Sequence, residues 1–282
     1  MRFAHPRTVS EALRLLHDQP DASIIAGGTD FMVEVNSGHR RPTAIVSLRR
    51  VADLDWCQRT ADEVILYGGL TYDHIERDAM LAHELPMLVQ AARSVGSRQI
   101  RNAGTLGGNI GTASPAGDTL PVLAALDATV VVSSQTGTRT VPLREIIVGP
   151  KRTSLAPGDV IVAVHVPRTT GRQQFLKVGR RGAMTIAVVS CAVALDDDRR
   201  QVRCGLGAVG PVPIRPSEAE AFIAAEIDWD RRSASAAAID RFGELAAMAA
   251  HPITDQRATA EYRRHAAAVI ARRALERTLS NG

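Results

Sequence analysis

Ser23-Ile24-Ile25-Ala26-Gly27-Gly28-Thr29-Asp30 runs from an apolar strand into a glycine turn, and helical sequence resumes at Phe31. Glycines at such a turn permit positive φ and remove side-chain bulk. Successive backbone N–H groups can then face an anion, although a strand–helix turn can also need glycine for packing. No Gly-Lys-Ser/Thr follows, so this is not a Walker A loop, and the spacing is not that of a dinucleotide-binding Rossmann turn. A second stretch, residues 96–118, reads Gly-Ser-Arg-Gln-Ile-Arg-Asn-Ala-Gly-Thr-Leu-Gly-Gly-Asn-Ile-Gly-Thr-Ala-Ser-Pro-Ala-Gly-Asp. It is glycine-rich and poor in hydrophobic periodicity. That pattern is expected of a long irregular loop, and such loops are usually functional. Thr105-Leu106-Gly107-Gly108-Asn109 repeats the recipe of small residues, hydroxyl and amide found at 26–30. Two such loops suit a diphosphate gripped from two sides by N–H dipoles and hydroxyls. Asp118 is a candidate acceptor for ribose or adenine donors, and equally the N-cap of a helix over Thr119–Leu126.

Outward from these loops the chain reads as an α+β protein. Thr8 and Glu11 form a capping box before a short helix ending near Leu16. Strands are expected at Thr43–Leu48, Val64–Tyr67, Thr129–Ser133 and Val160–Val166, with a helix at Pro86–Val95. Thr169-Thr170-Gly171 reads as a junction. Beyond it come strands at Phe175–Val178, Ile186–Leu195 and Val202–Val209, then helices at Ser217–Ala225, Arg231–Ala249 and Thr254–Leu279. The run Asp196-Asp197-Asp198-Arg199-Arg200 sits where a hairpin turn belongs. It lacks calcium-loop spacing, which favours a solvated turn over a cation site.

Composition narrows the function. Cys57, Cys191 and Cys204 are the 3 cysteines in 282 residues. They cannot ligate an ordinary iron–sulfur cluster, which takes four cysteines, and no C-x-x-C pair marks a zinc finger. No metal site is expected in this chain. Sparse cysteines, with no signal-peptide core and no apolar run of the roughly 20 residues that span a bilayer, suit a cytoplasmic protein without membrane insertion. The net charge is +4. Lys151 and Lys177 are the two lysines, and the remaining basic residues are arginines spread along the chain beside acids. That spread does not suit nucleic-acid binding, which needs clustered cations. No paired carboxylates or Ser/His/Asp set marks a general acid or base, so no catalytic residue is assigned.

The two loops, with Gln99-Ile100-Arg101-Asn102, Lys177-Val178-Gly179-Arg180-Arg181 and Arg257-Ala258-Thr259-Ala260-Glu261-Tyr262-Arg263, make the sequence resemble the FAD-binding medium subunit of molybdenum hydroxylases. This is the xanthine dehydrogenase and carbon monoxide dehydrogenase family. The resemblance covers almost the whole chain. It implies a two-lobed FAD domain of the vanillyl-alcohol-oxidase type over residues 1–169, with lobes near 1–55 and 56–169. A C-terminal domain over 170–282 would follow, built from a three-stranded sheet and a helical bundle. FAD would be held non-covalently by Ile25, Ala26, Gly27, Gly28, Thr29 and Asp30 on one side. Thr105, Gly107, Gly108, Asn109 and Ser114 would hold it on the other. By the same resemblance Asp118 contacts the adenosine half, Ile161 packs near the flavin, and Lys177 approaches it as a cation that would stabilise a reduced ring; a lone surface lysine is the other reading.

The implied role is electron transfer within a dimer of heterotrimers. A small subunit would carry two [2Fe–2S] clusters and a large subunit the molybdopterin centre, with electrons passing through FAD to NAD, a quinone or oxygen. Two other readings use the same fold. A self-contained flavin oxidoreductase would need its own acid/base groups near the ring, and a non-catalytic assembly module would not need intact glycine loops.

Overall fold

The structure, a computed structural model, describes residues 2–280. Three layers of sheet and helix follow one another along the chain. The first comprises β1 (Arg2–Ala4), α1 (Val9–Asp18), β2 (Ser23–Ile25), α2 (Phe31–Asn36) and β3 (Ala44–Ser47). Its strands form a parallel sheet in the order β1-β3-β2. α1 starts as expected: the Glu11 N–H donates to Thr8 Oγ1 at 3.1 Å. The Glu11 carboxylate reaches back to the N–H of Arg7, at 2.8 Å, rather than to that of Thr8. Ala12 and Leu16 then bury against Val46 and Val160, so a helix with one apolar stripe covers one face of a small sheet.

The second layer contains β4 (Cys57–Arg59), β5 (Glu63–Tyr67), α3 (Tyr72–Arg77), α4 (Ala79–Glu84), α5 (Pro86–Ser94), α6 (Arg98–Ala103), α7 (Leu106–Thr112) and α8 (Thr119–Ala125). It continues with β6 (Thr129–Ser134), β7 (Gly137–Pro142), α9 (Leu143–Ile146), β8 (Ile147–Gly149), β9 (Arg152–Thr153) and β10 (Val160–Pro167). Five strands make an antiparallel sheet in the order β4-β5-β10-β6-β7. Helices α3, α5, α7 and α8 bury Ile75, Leu88, Ile110 and Leu123 against Val64, Leu66, Val130 and Val164 of that sheet.

The segment 96–118 is not the irregular loop its composition suggested. It holds α6 and α7, each begun by a hydroxyl cap. Ser97 Oγ accepts from the Ile100 N–H and Thr105 Oγ1 from the Gly108 N–H. Periodicity failed to reveal these helices because they are short and glycine-bearing and are held by caps and neighbours. Ala113, in the left-handed region at φ 48°, ends α7.

The third layer is β11 (Gln173–Val178), β12 (Val189–Asp196) and β13 (Gln201–Gly207), followed by α10 (Ser217–Glu226), α11 (Ala236–Met248) and α12 (Ala260–Leu279). The sheet is antiparallel, in the order β11-β12-β13. Every residue of β12 is buried. Alternation explains the apolar run at 186–195. Ala192 and Ala194 face the core shared with the second layer, whereas Cys191, Val193 and Leu195 face the core shared with the helices. Close approach on the first face needs Gly205, where a Cβ would stand 2.0 Å from the Pro121 carbonyl oxygen of α8.

α11 and α12 begin later than the composition implied, at caps Ser235 and Thr259. A bridge between Asp228 and Ser233 precedes the first, and Asp255 collects the N–H groups of Arg257 and Ala258 before the second. The acidic run does turn a hairpin, but Asp196 is not solvated. It is fully buried and paired with Arg199 at 2.9 Å and Arg203 at 3.7 Å. No described helix is long and apolar enough to cross a membrane.

One buried ion pair joins the second and third layers. Lys177 Nζ of β11 lies 2.6 Å from Asp118 Oδ2 and 3.0 Å from the Ser94 carbonyl, and both charged side chains are less than a tenth exposed. Burial pushes the Asp118 carboxyl up from 3.8 to about 6, against the opposing pull of Lys177 and Ser94. The native state therefore holds more protons than the unfolded chain between those values, and stability falls as pH rises through that window. Lys177→Met leaves a buried carboxylate without its cation, a loss of about 3–5 kcal/mol for such pairs. The loss should be small at pH 5, where the carboxyl takes up a proton, and large at pH 8. Urea unfolding at the two pH values measures it, and equal losses would refute the assignment.

Candidate functional site

A backbone zipper builds the site. After β5 the chain passes Gly68-Gly69-Leu70 and runs beside Gly104–Gly107. The Gly107 N–H donates to the Gly68 carbonyl at 2.9 Å, Leu106 to Leu70 at 2.9 Å and Tyr72 to Gly104 at 3.1 Å. Gly68 donates in turn to Val162 of β10 at 2.8 Å, and Gly69 to Leu54 at 2.8 Å. β10 carries a bulge between Ile161 and Ala163 at this point, a device that re-aims side chains beside functional sites.

The glycines explain why these backbones can meet. A Cβ on Gly107 would stand 2.6 Å from the Gly68 oxygen, and one on Gly68 would stand 2.4 Å from the Ile161 oxygen. A Cβ on Gly27 would stand 1.8 Å from the Ala103 oxygen. Gly27 and Gly107 are thus packing glycines that bring the two loops together. Gly28 is the turn glycine, at φ +75°.

Between the loops lies a cleft of about 610 Å³, within the range of about 300–1,000 Å³ usual for small-molecule and cofactor sites. Ile25, Ala26, Gly27, Gly28, Thr29 and Asp30 line it on one side, and Thr105, Gly107, Gly108 and Asn109 on the other. Ile161 adds an apolar wall with Leu54 and Leu155. Ser114, Asp118 and Lys177 are not among the lining residues. Asp118 and Lys177 pair behind the wall. Asp118 stands at the N-cap position of α8 but makes no capping bond, and its Oδ1 is buried without a hydrogen-bond partner. Thr119 Oγ1 connects the two regions by donating to Asn109 Oδ1 at 2.7 Å. Tyr72, buried beside Thr119, has its hydroxyl held well above the usual tyrosine range, by burial first and then by the charges of Asp118 and Asp30.

The two loops are unequal as donors. Among the described residues, the backbone N–H groups of Gly27, Gly28, Thr29 and Asp30 have no protein acceptor. Those of Leu106, Gly107, Gly108 and Asn109 are all taken, by Leu70, Gly68, Thr105 Oγ1 and the Thr105 carbonyl. The first turn can therefore cradle an anion with main-chain dipoles. Apart from the Thr105 N–H, the second loop offers side-chain groups, from Thr105 and Asn109.

Positive charge in the cleft comes from residues that neither glycine motif contains. Lys151 lines the cleft and pairs with Glu34 at 2.9 Å. Arg40, also lining, stacks over Phe31 at 4.8 Å and approaches Glu34 at 3.7 Å. Desolvation in the cleft wall raises the Asp30 carboxyl, with Lys151 pulling it down and Glu34 pushing it further up. Of the two lysines, then, Lys151 faces the cleft and Lys177 is sequestered behind it. No motif surrounds Lys151 in the sequence: it reaches the cleft from a turn far along the chain, at φ 54°.

These residues fit an elongated anionic cofactor with an apolar end, such as FAD. Four unpaired N–H groups, three cationic side chains (Arg40, Arg49 and Lys151) and an apolar wall share one open cleft.

Comparison with known proteins gives the same answer. Residues 1–169 match the FAD binding domain in molybdopterin dehydrogenase, and residues 174–278 match the CO dehydrogenase flavoprotein C-terminal domain. The chain is 33% identical over 233 residues to the nicotinate dehydrogenase FAD-subunit of Eubacterium barkeri, covering 78% of each. It is 34% identical over 280 residues to the 6-hydroxypseudooxynicotine dehydrogenase complex subunit alpha of Paenarthrobacter nicotinovorans, covering 97% of this chain and 91% of that one. Reconstituted CO dehydrogenase from Oligotropha carboxidovorans superposes with a TM-score of 0.91 at 26% identity, covering 100% of this chain and 98% of the other. The shared architecture, the glycine-built cleft and these similarities converge: the chain belongs to the FAD-binding medium subunits of the molybdenum hydroxylase family of oxidoreductases.

Proposed function

We propose that this chain is the electron-transfer subunit of a heterotrimeric molybdenum hydroxylase, with the FAD-binding domain over residues 1–169 and the C-terminal domain over 170–282. In this reading electrons reach FAD from [2Fe–2S] clusters on a small partner subunit and leave to an acceptor such as NAD, a quinone or oxygen. A large partner subunit carries the molybdopterin centre, and two heterotrimers pair. Bound non-covalently, FAD supplies a group that exchanges electrons singly on one side and in pairs on the other. The observation that carries the proposal is the Gly27–Asp30 turn, with four unpaired N–H groups on the cleft, facing Thr105 and Asn109.

Each part of the chain has a task in this reading. The turn holds the pyrophosphate by N–H donation. Thr105 and Asn109 orient it from the opposite wall, and Lys151 and Arg40 offset its charge. Ile25 and Ile161 exclude water from the apolar end. Asp118 and Lys177 support the wall from behind: the pair fixes the start of α8, whose Thr119 holds Asn109. The cysteine inventory supports placing the clusters elsewhere. Cys191 and Cys204 are buried with their sulfurs 3.8 Å apart, and Cys57 is remote in sequence and lies on another sheet.

Two substitutions in α7 test the cleft. A Cβ on Gly108 would stand 2.8 Å from Thr105 Oγ1 and displace the cap, whereas a Cβ on Gly111 meets only Ile161 Cδ1, at 4.0 Å. Gly108→Val should weaken FAD binding by about tenfold or more, the equivalent of one hydrogen bond to a charged group. Gly111→Ala should leave binding unchanged. Equilibrium titration followed by flavin fluorescence measures both, and full retention by Gly108→Val would remove this loop from the site. A further expectation concerns activity. The FAD-loaded chain alone should not hydroxylate aldehydes or N-heteroaromatics in a dye-reduction assay, and turnover by the single chain would overturn the subunit reading.

A further inference from the structure

Behind one lip of the cleft, three side chains from separate elements converge at the edge of the five-stranded sheet. Cys57 comes from edge strand β4, His74 from the last turn of α3, and Asp78 from the N-cap of α4. One ligand atom from each lies within 4.8 Å of the others. Cys57 Sγ stands 3.6 Å from Asp78 Oδ2, and His74 Nε2 stands 3.8 Å from the same oxygen. In a tetrahedral zinc site with bonds of about 2.0–2.3 Å, ligand atoms lie about 3.4–3.6 Å apart. The sulfur–oxygen distance already satisfies this, the nitrogen–oxygen distance exceeds it by about 0.2 Å, and the sulfur and imidazole nitrogen lie within 4.8 Å of each other.

Three further observations favour an ion over a plain hydrogen-bonded cluster. Asp78 divides its oxygens: Oδ1 caps α4 by accepting from the Leu81 N–H at 3.0 Å, and Oδ2 faces the sulfur, accepting from the Cys57 thiol until an ion displaces its proton. Behind the imidazole, Asp55 Oδ1 lies 3.8 Å from His74 Nδ1. A carboxylate on the far ring nitrogen is the usual support of a metal-bound histidine. Among the described residues, no arginine or lysine pairs with Asp55 or Asp78, although the chain is rich in arginine.

We propose that Cys57, His74 and Asp78 bind a divalent transition-metal ion of the zinc class, with Asp55 as the outer partner of His74 and solvent in the fourth position. Sulfur, imidazole and carboxylate together select a borderline ion over magnesium or calcium. On binding, the Cys57 thiol gives up its proton to solvent and a metal–sulfur bond forms, with no change of oxidation state. The ion would staple β4 to the α3–α4 junction. Leu54 and Asp55, which line the cleft, lie immediately before that strand, so the staple would steady one lip of the cleft. The relative spacing that makes the site, Cys57 with His74-x-x-x-Asp78, has no C-x-x-C pair, which is why composition gave no metal signal.

The test uses the full-length chain, stripped with chelator and titrated with Co²⁺, a spectroscopic stand-in for Zn²⁺. One equivalent should saturate a thiolate-to-cobalt absorption band in the near ultraviolet, and Zn²⁺ should displace it. Cys57→Ser and His74→Gln should each abolish the band while circular dichroism shows the fold intact, and Cys191→Ala should keep it. Asp55→Asn should weaken affinity about 10- to 100-fold. Absence of a band at one equivalent, or a band that survives Cys57→Ser, would overturn the site. FAD retention by the stripped protein is read separately, so failure of this site leaves the cofactor assignment standing.

Discussion

Contact between bare backbones at Gly68, Gly107, Gly27 and Ala103 is the constraint on which the site depends. Where side chains would normally keep segments apart, carbonyl oxygens here sit within 1.8–2.6 Å of the place a Cβ would occupy. That closeness lets the start of α7 hydrogen-bond along Gly68-Gly69-Leu70, and lets the Gly27 turn lean on the end of α6. It joins the parallel sheet of the first layer to the antiparallel sheet of the second and leaves the cleft between them. The same contact produces the division of labour between the loops. The second loop spends the N–H groups of Leu106–Asn109 on the zipper and on the Thr105 cap, and the first keeps its own for a ligand.

Much of this was legible in the sequence, though for partly different reasons. The strand–turn–helix at 23–31 and the importance of Thr105–Asn109 follow from residue types alone. The glycines suggested close approach to a phosphate; at Gly27 and Gly107 they serve close approach of protein to protein. α6 and α7 were invisible to periodicity because caps and backbone neighbours, rather than an apolar stripe, hold them. The apolar run at 186–195 signalled a strand but could not reveal that both its faces are covered. Lys151 entered the site through tertiary structure alone, as a left-handed turn residue folded back onto Glu34. The helix starts at Ala236 and Ala260 differ from a compositional reading because the Asp228–Ser233 bridge and the Asp255 turn hold the preceding residues out of helix up to the Ser235 and Thr259 caps.

The two lysines show how burial assigns roles. Lys177 meets Asp118 where water is excluded, so the pair fixes the junction between layers two and three and contributes nothing mobile to the cleft. Lys151 is more than half exposed and salt-bridged at the rim, an arrangement that a polyanion can readily rearrange, because exposed pairs are worth only about 0–1 kcal/mol. Family membership accounts for the cleft and the two-part architecture. The Cys57–His74–Asp78 cluster rests on this chain's own geometry.

The most direct measurement is backbone hydrogen exchange of the chain with and without FAD. If the Gly27–Asp30 turn holds the pyrophosphate, the amides of Gly27, Gly28, Thr29 and Asp30 should show the largest gain in protection. Those of Leu106–Asn109, already bonded within the protein, should change far less. FAD bound at one equivalent with exchange at Gly27–Asp30 unaltered would contradict it.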